Sequence, residues 1–147
     1  MLVTTHTITG GVVGEVVSNP ILAFILGSIL HFLFDAIPHY DKTDDGKWSW
    51  KQILLVIIDF SATILILFWL RPKLSIYNPF WWGAFGGFWP DLIDNVPFWG
   101  PAIIKTKWGK RYHKFHEGLH KKQPHFLVGL GIQIAIIAVS LIIHFSV

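Results

Sequence analysis

Apolar residues run through this chain in long blocks, and the blocks define the elements. Residues 53–70, ILLVIIDFSATILILFWL, are interrupted only by Asp59 and a few small polar positions. Residues 126–145, FLVGLGIQIAIIAVSLIIHF, follow Pro124, a helix-start signal. Residues 21–37, ILAFILGSILHFLFDAI, lie between Pro20 and Pro38 and carry His31 and Asp35. A membrane-crossing helix needs roughly 17–25 mostly apolar residues, so all three blocks read as spans, the last of marginal length. Two shorter pieces remain. Residues 7–17 place Gly10 and Gly14 four apart, a spacing suited to close helix packing. Residues 79–96 are aromatic and glycine-rich, with Pro90 expected to kink or end the helix. The pattern predicts an all-α integral membrane bundle of about five helices, three clear spans and two short ones, in a single domain over residues 1–147. Aligning residues 27–39 with 86–98 pairs Gly27 with Gly86, Leu33 with Leu92, Asp35 with Asp94 and Pro38 with Pro97, a weak signal of a parallel hairpin duplication.

Composition agrees with this reading. Of 147 residues 52% are hydrophobic and 14% charged, against about a quarter charged in an ordinary soluble domain. Mean hydropathy is +0.51, and there is no cysteine among 147 residues. These values exclude a disordered chain, a disulfide-stapled module and a Cys-ligated metal site. The N-terminal stretch lacks a positive n-region and a small-residue cleavage site, so no cleavable signal peptide is expected. The cations gather in Lys105, Lys107, Lys110, Arg111, Lys114, Lys121 and Lys122. If the helices cross alternately, this cluster joins Lys42, Lys47 and Lys51 on one side and leaves Arg71 and Lys73 on the other. The positive-inside rule makes the richer side cytoplasmic, where the cluster also suits anionic headgroups.

Ionisable residues inside apolar spans are costly and default to functional hypotheses. Here their spacing is regular. His31, Asp35 and His39 recur at i, i+4, i+8, Asp91 and Asp94 at i, i+3, and His113, His116 and His120 at i, i+3, i+7. Alternating topology places His6, His39, Asp41, Asp91, Asp94, His113, His116 and His120 near the same membrane face and leaves His144 on the other. Mixed imidazoles and carboxylates are a ligand set for Zn²⁺, Mn²⁺ or Fe²⁺, and more than four candidates leave room for one or two ions. The expected metal ligands are His6, His31, Asp35, Asp91, Asp94, His116 and His120, with Asp59 and Glu117 as base or supporting residues. Residues 116–120 also spell H-E-x-x-H, which on one helix would make two zinc ligands and a Glu base, as in a membrane metalloprotease. Non-catalytic handling of metal ions or protons is a third reading.

Thr5-His6 at the start of the first helix, Gly27-x-x-x-His31-x-x-x-Asp35, Pro90-Asp91-x-x-Asp94 and His116-x-x-x-His120 together resemble the motifs of a family of inner-membrane-associated, metal-dependent hydrolases. That family is described as LexA-binding and is distantly similar to zinc-dependent phospholipase C. Two departures stand out. The family's P-D-x-D-like element precedes its H-x-x-x-D helix, whereas Asp91 follows Asp35 here, so residues 38–41 are an alternative counterpart. Its H-R-x-x-T-H-S element survives only as a histidine pair, with Glu117 where Arg is usual. The resemblance implies a prokaryotic inner-membrane enzyme, zinc as the leading cofactor, membrane lipids as partners and a phospholipid or phosphate-ester substrate. Nucleic acid is not an expected partner.

Overall fold

In the computed structural model the described residues are 1–40, 50–71, 73–96, 98–120 and 124–147. Asp41, Lys42, Lys47, Pro97, Lys121 and Lys122 lie outside them, as do the side chains of Lys51 and Asp94. The described residues form seven helices and no strand: α1 (Val3–Val17), α2 (Pro20–Asp35), α3 (Trp50–Leu70), α4 (Pro79–Asp94), α5 (Gly100–Lys105), α6 (Lys107–Glu117) and α7 (Phe126–His144). The expected count of about five is therefore low. The basic segment before α7, read as a connection, contains α5 and α6.

Among the described residues two helices, over Gln52–Leu70 and Phe126–His144, are long and apolar enough to cross a membrane; the expected third span is not, because α2 has only 16 residues. Only 17% of each of the two is buried inside the molecule. Residues 53–58 of α3 are exposed without interruption, so apolar side chains face outward on every side of that turn and a half. The chain's interior is built elsewhere, from α1, α2 and α4.

Glycine makes that interior possible. A Cβ at Gly10 would strike the carbonyl oxygen of Gly83, one at Gly83 would strike that of Gly10, and one at Gly87 would strike that of His6. Gly27 meets Gly83 in the same way, and Gly86 meets the backbone of Phe24. With no side chain between them, α1 and α2 both lie directly on α4, a close approach typical of helices that gain little from hydrophobic exclusion. Phe80, Ile8 and Val12 fill the remaining space with Leu67, Leu70 and Ala84. Pro90 sits inside α4, which continues to Asp94 rather than ending at the proline.

The N-terminus of α1 is closed by other helices. An α-helix leaves its first N–H groups without internal partners, and the residue before α1, Leu2, has no capping side chain. The N–H of Leu2 donates to Gln133 Oε1 of α7 (2.7 Å) and that of Val3 to Asp59 Oδ2 of α3 (2.7 Å). Thr4 donates from its N–H (3.3 Å) and its hydroxyl (2.5 Å) to Asp59 Oδ1. At the other end of α1, Glu15 pairs with Arg71 at the end of α3 and accepts from His144 Nδ1 of α7 (2.6 Å).

Candidate metal centre

The glycine contacts bring the C-terminal end of α2 beside that of α4, close to the start of α1. Asp35 is the last residue of α2 and completely buried. One oxygen faces structure and the other faces ligands. Oδ1 accepts from the Met1 amino nitrogen (2.9 Å) and lies 3.0 Å from His6 Nε2. Oδ2 lies 3.1 Å from His31 Nε2 and 3.0 Å from His116 Nε2, and those two ring nitrogens are 3.1 Å apart. Asp91 Oδ1, from α4, stands 3.7 Å from His31 Nε2 and 3.8 Å from His116 Nε2.

The ligand atoms of His31, Asp35, Asp91 and His116 all lie within 4.8 Å of one another. His31 fixes its own tautomer. Its Nδ1 is 2.8 Å from the carbonyl oxygen of Gly87, which can only accept, so Nδ1 carries the proton and Nε2 turns a lone pair toward the cluster. Lone pairs and carboxylate oxygens so close repel unless a proton or cation lies among them. A tetrahedral ion with bonds of about 2.0–2.1 Å would hold its ligand atoms about 3.3 Å apart. Five of the six separations, 3.0 to 3.8 Å, bracket that spacing, and the whole set stays within 4.8 Å. Two imidazoles and two carboxylates suit zinc and other first-row divalent ions.

The remaining sequence-derived residues stand outside these four. His6 is buried and stacks on His31 with ring centroids 4.0 Å apart, but its Nε2 meets the outer oxygen of Asp35 and so orients that carboxylate. Its Nδ1 is buried without a hydrogen-bond partner among the described residues. His120 stands at the rim, with Nε2 3.8 Å from Asp35 Oδ2 and a side chain 24% exposed. Asp59 and Glu117 are not among the converging residues: Asp59 caps α1, as above, and Glu117 is exposed. The helix α6 ends at Glu117, and the N–H groups of Leu119 and His120 turn back to the carbonyls of His116 and Glu117 (3.0 and 3.1 Å). The single-helix H-E-x-x-H geometry is therefore not formed. Asp94 closes α4.

His39 was visible at i+8 from His31 but stood outside the expected ligand set. It is buried, donates from Nδ1 to the carbonyl of Ile37 (2.8 Å), and leaves Nε2 3.9 Å from Asp35 Oδ1. Its ring lies 5.4 Å from that of His120. Four helices thus supply the centre and its surroundings: α1, α2, α4 and α6. No protein-family model, curated protein or solved structure matches the chain.

Proposed function

We propose that this chain is a membrane-embedded, metal-dependent hydrolase acting on a phospholipid or another phosphate ester. The convergence of His31, Asp35, Asp91 and His116 in a buried cluster carries the reading. Burying two carboxylates beside imidazoles is unfavourable unless something compensates them, and a divalent cation does so while supplying chemistry. The apolar exterior of α3 and α7 supports embedding in a bilayer. Lys105, Lys107, Lys110, Arg111 and Lys114 lie near the centre's pole, which supports a cytoplasmic orientation for it.

A bound ion would lower the pKa of a coordinated water and polarise the phosphoryl oxygen. In hydrolysis the water oxygen bonds to phosphorus, the ester P–O bond breaks and the water proton reaches the departing alkoxide. His120, at the open rim, is suited to carry that proton. His6 and the Gly87 carbonyl hold Asp35 and His31 in orientation.

The decisive experiment is metal analysis of protein purified without chelator, paired with hydrolysis of a chromogenic phosphodiester and of phospholipid vesicles. Zinc or another transition metal should bind stoichiometrically, and His31→Ala or His116→Ala should weaken binding by more than about 100-fold. His120→Gln should retain metal while slowing turnover by roughly 100-fold or more. Absence of bound metal at saturating zinc would overturn the reading. Bound metal without hydrolysis of any phosphate ester would leave a metal-handling protein.

A further inference from the structure

Helix α6 has two opposed faces. Gly109, Tyr112 and His116, spaced i, i+3, i+7, face the molecule, with Gly109 and His116 buried. Lys107, Lys110, Arg111 and Lys114 are all exposed and occupy the opposite side of the helix. Between these faces, Trp108 and Phe115 are 59% and 53% exposed on one flank. That flank continues the apolar exterior of α2, since Phe115 packs on Phe32 at 5.3 Å and the neighbouring Leu33 and Ile29 also face outward. A cationic face bordered by exposed aromatics, where an apolar exterior ends, has the make-up of a helix lying at the headgroup level of a membrane.

This helix also carries a ligand. Among the described residues its ties to the bundle include the Tyr112 hydroxyl donating to the Pro90 carbonyl (2.9 Å), ring contacts of Tyr112 and Phe115 with Phe32, and His116 in the cluster. His31, Asp35 and Asp91 come instead from α2 and α4, whose backbones are in direct contact. We propose that α6 docks on anionic lipid headgroups and that this docking completes the metal centre by holding His116 against Asp35 and His31. The inference rests on the metal-centre reading and adds to it a partner, an anionic leaflet, and a form of control.

The test compares zinc affinity in nanodiscs of phosphatidylcholine alone and of phosphatidylcholine with an equal part of phosphatidylglycerol, using competition with a chromophoric chelator. Wild-type protein should bind zinc roughly tenfold tighter in the anionic discs, and high salt should shrink the difference. Replacing Lys107, Lys110, Arg111 and Lys114 together by Gln should abolish the difference while leaving affinity in neutral discs unchanged. If that variant does not insert, the wild-type salt titration still decides. Equal zinc affinity in the two discs would overturn the inference and leave the metal centre standing. No zinc binding in either disc would overturn the metal centre itself and the inference with it. An equal gain in neutral discs on adding a DNA duplex would overturn the assignment to lipid.

Discussion

Asp59 accepts the N–H groups of Val3 and Thr4 and the Thr4 hydroxyl, so its charge is used at the positive end of another helix. In apolar surroundings an unpaired backbone donor costs on the order of 1–3 kcal/mol, and Asp59 satisfies two. Asp59→Ala is expected to lower stability by about 2 kcal/mol, read as an earlier thermal unfolding in detergent. Asp59→Asn, which keeps an acceptor oxygen, should cost less. His31 and Asp35 were legible because their i, i+4 spacing displays them on one face of α2. Spacing does not say which partner a carboxylate meets, and the donors that Asp59 serves lie 55 and 56 residues away in sequence. Glu117 failed for a different reason. Its motif presupposes a continuous helix, and the helix stops at that residue, ahead of Gly118.

Helices here approach through glycine. The seam of Gly10, Gly83 and Gly87 brings α1 onto α4, and because the obstructing atoms are backbone, no rotamer change can make room. Gly83→Val should therefore separate the two helices, costing more than about 3 kcal/mol or preventing a single folded species. Gly131, with nothing within 4 Å of its would-be Cβ, offers the control: Gly131→Ala should change stability by less than about 0.5 kcal/mol. Unfolding melts of both variants, with zinc content measured alongside, check this. The spacing of Gly10 and Gly14 was readable, whereas nothing in the aromatic, glycine-rich stretch 79–96 singled out Gly83 as the residue that Gly10 meets. The helices α5 and α6 were missed because apolar block length was the guide, and neither contains such a block. Only the set Gly109, Tyr112 and His116 marks the inward face of α6.

Among the described residues, ion pairs and charge gather at two poles. The centre and the basic helix α6 lie at one, and Glu15, Arg71 and His144 at the other. With no native cysteine among the 147 residues, orientation is directly measurable. An impermeant maleimide applied to intact cells should label Tyr77→Cys, at an 84% exposed position, and should reach Lys105→Cys only after permeabilisation. Labelling in the reverse order would put the centre outside.

The two ends of α1 are held by the same pair of helices. Asp59 and Gln133 grip its start, Arg71 and His144 grip Glu15 near its finish, and each pair comes from α3 and α7. A rod pinned at both ends to the same two posts cannot slide along its axis or turn about it. The height of His6, and through it the orientation of Asp35, is thus a length measured off along α3 and α7. Shortening either post by a turn would strain the rod before it moved any residue of the cluster, so the cluster's position is written in helices that contribute none of its four residues.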